Sequence, residues 1–263
     1  MAAGRRPPAD EPECSTMHAR IGHEASVPHH HVHGHRERAA REKPASAAFY
    51  DVDGTLVSTN VVHAFGYYAA NRGRLMESAL RTAAVVAGIP AFWAADQVSR
   101  ALFNELFYKQ YKGISRDRLI ALSEELFEKV LKPAIYPGAR DMVERCRDTG
   151  ARQVIVTGAI DLTILPLARW FGMDDVIANK LEFLDDVATG RVIKPLIAGA
   201  TKAAAVRDYC AAEKLDLSAC WGFCDSYADY SMLAVVGRPT AVNPDFRLRS
   251  LARSHDWPVV DLR

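Results

Sequence analysis

Asp51 and Asp53 lie two residues apart in Phe49-Tyr50-Asp51-Val52-Asp53-Gly54-Thr55-Leu56, directly after a short apolar run. Thr157 closes a second run, Gln153-Val154-Ile155-Val156, and Gly158 follows it. Lys202 comes just after Gly199-Ala200-Thr201, and Asp225 and Asp229 follow the run Cys220-Trp221-Gly222-Phe223-Cys224. Carboxylates gathered at one place repel one another and have raised pKa values unless a cation joins them. Hard oxygen ligands favour Mg²⁺, which keeps several waters and uses one or two carboxylates plus a substrate phosphate. A lysine and a hydroxyl beside such a site fit phosphoryl transfer, with metal and Lys202 neutralising the phosphoryl oxygens. Thr157 and the N–H groups beyond Gly158, at a helix start, would hydrogen-bond the same oxygens. Asp51 could attack phosphorus to form an aspartyl-phosphate. Asp53, on the same side of an extended strand, could protonate the leaving alkoxide and then activate water.

For these groups to meet, the apolar runs must be strands of one sheet ending at a common edge. Ala47 to Val52, Gln153 to Thr157, Val176 to Ala178, Cys220 to Cys224 and Pro239 to Val242 read as buried strands. Between them, Ala139 to Thr149, Leu162 to Phe171 and Thr201 to Glu213 read as helices, and Leu181 to Ile193 as a hairpin turning at Thr189-Gly190. The alternation implies an α/β fold, a Rossmann-like parallel sheet flanked by helices. Ligands of such sheets bind at the carboxyl ends of the strands, where the polar residues fall. Residues 59–133 have a helical pattern, with Leu119, Leu122, Leu126 and Val130 at helical spacing behind Ser115 as cap. This block is expected to be an inserted helical cap, with 46–58 and 134–263 forming the core.

Residues 1–45 carry Pro7-Pro8, many charges and seven of the nine His, and are expected to be a disordered tail. Its cluster His29-His30-His31-Val32-His33-Gly34-His35 could hold a transition metal weakly or have no role. The net charge of +1 gives no support to nucleic-acid binding. Five Cys without paired ligand spacing suggest free thiols in a reducing compartment. No signal peptide is visible and no run reaches the ~20 apolar residues of a membrane span. A soluble cytoplasmic protein is therefore expected. The cap aromatics Phe65, Tyr67, Tyr68, Phe92, Trp93, Phe103, Phe107, Tyr108 and Tyr111 read as a packing core, or as an apolar wall facing an amphipathic or lipid-derived phosphate ester.

The segments Asp51-Val52-Asp53-Gly54-Thr55-Leu56, Thr157-Gly158, Lys202 and Asp225-Ser226-Tyr227-Ala228-Asp229 resemble, in order, the four motifs of the haloacid dehalogenase superfamily. The helical insert and Thr157-Gly158-Ala159-Ile160-Asp161 resemble its phosphoserine-phosphatase-like branch. The resemblance implies Asp51 as nucleophile and Mg²⁺ ligand, and Asp53 as acid/base and carbonyl ligand. It implies Asp225 as carboxylate ligand, with Asp229 supporting Lys202 or the metal's waters. The chain departs from that branch at Asn60, where a glutamate reads the substrate amine, at Ala159 for Gly, and at Cys224, Ser226 and Ala228 in the fourth motif. The implied reaction is hydrolysis of a small phosphorylated metabolite, with the substrate open. Asn60 and His63 could read the leaving group at the cap entrance. A phosphotransferase would share the intermediate. A silent binding module would have no need for Asp51, Asp53, Lys202 and Asp225 together.

Overall fold

A computed structural model of the chain describes residues 30–31, 45–59 and 108–263. Eight strands form one sheet: β1 (His30–His31), β2 (Ala47–Tyr50), β3 (Arg152–Ile160), β4 (Asp175–Leu184), β5 (Val187–Ile193), β6 (Trp221–Cys224), β7 (Arg238–Val242) and β8 (Val259–Val260). The main path runs β1-β4-β3-β2-β6-β7-β8, with β5 paired to β4. All links from β4 through β8 along this path are parallel, while β1 and β5 are antiparallel to β4. From β2 the chain builds outward through β3 and β4, then returns to build the other side through β6, β7 and β8. The strand order therefore reverses between β2 and β6, which opens a crevice at their carboxyl ends.

The centre of the sheet is apolar because both faces are covered. Ala47 and Phe49 enter one core cluster and Ala48 and Tyr50 the other, following the two-residue period of a strand. The first face packs against α4 (Ala200–Glu213), α5 (Tyr230–Ala234) and α6 (Phe246–Ser254), through Val206, Tyr209, Met232, Leu233 and Leu248. The second packs against α2 (Ala139–Asp148) and α3 (Asp161–Phe171), through Val143, Ile164 and Leu167. α1 (Arg116–Leu126) joins that second core through Leu119, Leu122 and Leu126. Ser115 caps it, its hydroxyl accepting from the Arg118 N–H at 3.3 Å.

Three details differ from the sequence expectation. The β4–β5 hairpin turns at Asp185 and Asp186, not at Thr189-Gly190; both have positive φ, 48° and 60°, the signature of a two-residue turn that follows the strand twist. Gly190 instead lies within β5, where a Cβ would sit 3.0 Å from the Lys112 Cβ, so close approach accounts for it. β3 does not stop at Gly158 but continues to Ile160 through a register shift, while α3 begins at Asp161, one residue before the expected Leu162. Beyond Val242, the structure adds α6 and β8 to the strand–helix alternation. The signal for α6 is in the sequence: Asp245 accepts from the Leu248 N–H at 2.7 Å, and Leu248, Leu251 and Ala252 form its apolar stripe.

Part of the expected tail, His30–His31, is described as a strand on β4. The rest of residues 1–44, and residues 60–107 of the expected cap with Asn60, His63 and most of the cap aromatics, lie outside the described residues. Of those aromatics, Tyr108 and Tyr111 are described, and both are buried in the second core. Among the described residues no helix is long and apolar enough to cross a membrane.

Candidate active site

β2 carries Asp51 to the crevice. The Asp51 N–H donates to the Phe223 carbonyl at 2.9 Å, extending the β2–β6 ladder by one bond. The chain then leaves the strand: the Val52 carbonyl accepts from the N–H groups of Thr55, Leu56 and Val57 at 2.9–3.2 Å. The spacing predicts Asp53 on the same side of an extended strand as Asp51, and the structure differs. β2 ends at Tyr50, so Asp53 is positioned by a tight turn and not by strand alternation. Gly54 closes the turn with φ 80°, and a Cβ there would lie 2.1 Å from Asp225 Oδ2. Glycine is required twice, by the left-handed backbone and by the carboxylate pressed against it.

Register brings the other groups level. Tyr50 pairs with Ile155 on one side and with Phe223 on the other. Thr157 lies two residues beyond Ile155 on β3 and Asp225 two beyond Phe223, directly after β6, so both fall at the sheet edge that Asp51 reaches from β2. Thr157 is fully buried and its hydroxyl accepts from the Ala159 N–H at 3.1 Å. The helix expected after this strand opens at Asp161, three residues beyond Gly158 and after the β3 register shift, so its first turn follows Ala159-Ile160 and not Gly158 directly.

Lys202 sits in the first turn of α4, behind Gly199 with φ 52°. A cation at a helix N-terminus opposes the helix dipole, and this one is only 3% exposed. Two carboxylates compensate: Nζ donates to Asp51 Oδ1 and to Asp229 Oδ2, each at 2.7 Å. Burial alone would lower the lysine pKa, but Asp229 and Asp51 more than reverse this and hold it charged. Asp229 reaches it through one 3-10 turn, Tyr227–Asp229, capped by Ser226, and also accepts the Gly199 N–H at 3.1 Å. Of the two supports considered for Asp229, it makes the one to Lys202.

Among the described residues, Lys202 is the cation that meets this cluster of carboxylates. Burial, with Asp51 and Asp229 nearby, pushes Asp225 up to about 8. Burial likewise raises Asp51, against the pull of Lys202. Among the described residues no cation pairs with the Asp225 carboxylate. Nor is any group of three His, Cys, Asp or Glu side chains among them arranged to hold a metal. The Asp51 and Asp225 carboxylates offer two hard oxygen donors, close enough for Asp51 to raise the proton affinity of Asp225. That set suits Mg²⁺, whose shell is completed by water and phosphate, and not a cation that needs an all-protein cage. Cys224, beside Asp225, is buried, and burial with Asp229 and Asp51 nearby raises its thiol well above the usual range. It is an inert thiol.

Several site residues are invisible to the motif pattern. Asn179 on β4 donates to the Gly158 carbonyl at 2.8 Å and to the Ile197 carbonyl at 3.2 Å, and accepts from the Ile197 N–H at 2.8 Å. It ties the β3 bulge to the segment leading into α4. The buried Tyr108 hydroxyl also donates to the Gly158 carbonyl, and burial raises its pKa above the usual tyrosine value. Asn243, after β7, donates to the Gly54 carbonyl at 3.1 Å. An isolated polar residue in a long-range contact leaves no local spacing to read.

The chain matches known proteins over this same span. Phosphoserine phosphatase SerB1 of Mycobacterium tuberculosis is 32% identical over 219 residues, covering 83% of this chain and 71% of that protein. The inhibition of morphological differentiation protein of Streptomyces azureus is 30% identical over 223 residues, covering 83% and 79%. Among solved structures, a Bordetella pertussis protein of unknown function superposes with a TM-score of 0.72 at 25% identity, covering 84% of this chain and 100% of that one. Residues 48–234 match the haloacid dehalogenase-like hydrolase family, and the chain belongs to it.

Proposed function

We propose that the protein is a Mg²⁺-dependent phosphomonoesterase acting on a small phosphorylated metabolite through an aspartyl-phosphate on Asp51. The observation that carries this reading is the Lys202 ammonium, buried and bonded at 2.7 Å to both Asp51 and Asp229, at the crevice where the strand order reverses. A cation held in place there neutralises charge on a phosphoryl group without reorganising. It also favours the ionised form of Asp51 and orients one of its oxygens.

In the first step a carboxylate oxygen of Asp51 attacks phosphorus, the bond to the ester oxygen breaks, and Asp53 gives that oxygen a proton. In the second step Asp53 takes a proton from water, and the water oxygen attacks the phosphorus of the acyl phosphate. Asp51 leaves as carboxylate and inorganic phosphate is released. The buried Thr157 hydroxyl binds a phosphoryl oxygen. Asp51, Asp225 and the Asp53 carbonyl would hold Mg²⁺, which when bound offsets the charge on the phosphoryl oxygens.

The relationship to a mycobacterial phosphoserine phosphatase supports a small phosphorylated substrate. Asn60 stands where that branch places a glutamate to read an amine, so phosphoserine itself is not the expected preference. The test is a Mg²⁺-dependent screen of phosphate release over phosphorylated metabolites, including neutral alcohol phosphates, phosphoserine and acyl-bearing phosphates, with Asp51→Asn as control. Turnover of a neutral ester, abolished by EDTA and by the substitution, is expected. Hydrolysis that survives either treatment would overturn the assignment.

A further inference from the structure

The segment Asn243-Pro244-Asp245, which follows β7, touches both acidic loops without supplying a group to either. Asn243 is buried, with φ 44°. Its amide donates to the Gly54 carbonyl at 3.1 Å, while its side-chain oxygen accepts from the Leu262 N–H at 2.7 Å. Its own N–H donates to the Val260 carbonyl at 2.8 Å. The Gly54 turn is thus tied to β8 and the chain end. Two residues on, the Asp245 N–H donates to the Asp225 carbonyl at 2.8 Å. One Asp245 carboxylate oxygen accepts from the Tyr227 N–H at 2.8 Å, and the other caps α6 at Leu248 N.

We propose that Asn243 and Asp245 are positioning residues for the divalent-cation site, setting the separation between the Asp53-Gly54 turn and the Asp225 loop. This rests on the Mg²⁺-dependent reading above. Asn243 fixes the carbonyl next to that of Asp53, and Asp245 fixes the main chain of Asp225 from both sides, at Asp225 O and at Tyr227 N. The two loops lie 171 to 174 residues apart in sequence and leave different strands. Apart from the β2–β6 ladder, these bonds give both loops a common anchor. Groups that orient metal ligands in this way typically carry 10–100-fold in metal affinity. A segment that merely closed the sheet would carry stability and leave affinity alone.

Two substitutions separate these roles. Asn243→Gly keeps the left-handed backbone and removes the bond to Gly54. Asp245→Asn keeps a good helix cap but leaves one acceptor oxygen for two N–H groups. Mn²⁺ binding to the full-length protein without substrate is followed by the electron paramagnetic resonance of free Mn²⁺. Each variant is expected to raise the Mn²⁺ dissociation constant roughly tenfold or more. KM at saturating Mg²⁺ should stay within about twofold. If a variant melts lower in EDTA yet binds Mn²⁺ as the wild type does, the proposal is overturned. Should Asn243→Gly not fold, Asp245→Asn decides by the same criterion. Failure of the wild type to bind Mn²⁺ overturns the metal-dependent reading and this proposal with it; wild-type binding with unchanged variants overturns this proposal alone.

Discussion

Lys202→Met replaces the buried ammonium by an apolar chain of similar length and leaves Asp51 and Asp229 facing each other without it. Both carboxylates bond that ammonium at 2.7 Å, so neither regains water when it is lost. Breaking a buried pair by removing one partner costs about 3–5 kcal/mol. The alternative to an unpaired charge is protonation. For a carboxyl with the ordinary value of 3.8, that costs about 4 kcal/mol at pH 7, so the two estimates agree. Urea unfolding in EDTA should therefore show a loss of about 4 kcal/mol, a midpoint drop of roughly 1–2 M. The loss should shrink towards pH 4, where protonating Asp51 becomes nearly free. Adding Asp229→Asn should restore part of the stability, because it removes the charge that Lys202 no longer balances. A Lys202→Met protein within about 1 kcal/mol of wild type, or a double variant less stable than Lys202→Met, would refute the buried triad as the organising interaction.

Two further outcomes follow from the same geometry. Gly54→Ala puts a Cβ 2.1 Å from Asp225 Oδ2 and strains a φ of 80°, so phosphate release should fall by about 100-fold or more while circular dichroism stays native. Asp225, raised to about 8 from 3.8, binds its proton more tightly folded than unfolded. Metal-free stability should therefore be greatest below pH 4 as far as this group is concerned, and fall between about pH 4 and 8, with a slope approaching 1.4 kcal/mol per pH unit. Asp225→Asn should remove that slope in urea melts with EDTA.

The strands that lead to the candidate site are legible because their burial on both faces leaves continuous apolar runs, as at Ala47–Tyr50 and Trp221–Cys224. Asp51 and Asp225 are legible because they interrupt those runs where solvent or ligand is needed. The β3 bulge is less legible, since Gly158 within Val156-Thr157-Gly158-Ala159-Ile160 reads equally as the end of a strand and as a bulge inside one. The hairpin turn is misplaced because Gly190 looks like a turn glycine, whereas its role is to admit the Lys109–Tyr111 turn alongside β5. Tyr108, Asn179 and Asn243 escape notice for a different reason. Each acts on a carbonyl 21 to 189 residues away, and a single polar residue in a long-range contact has no period. The α6 cap and stripe could be read locally from Asp245, Leu248, Leu251 and Ala252.

The proposed reaction requires that Asp51 become phosphorylated during turnover. Acid-quenching the enzyme with Mg²⁺ and a hydrolysed substrate, reducing with borohydride and mapping peptides by mass spectrometry tests this directly. Reduction of an acyl phosphate converts aspartate to homoserine, so homoserine should be found at residue 51 and not at Asp53, Asp225 or Asp229. The signal should vanish in Asp51→Asn. Homoserine at any of the other three positions, or undiminished turnover in Asp51→Asn, would contradict the account.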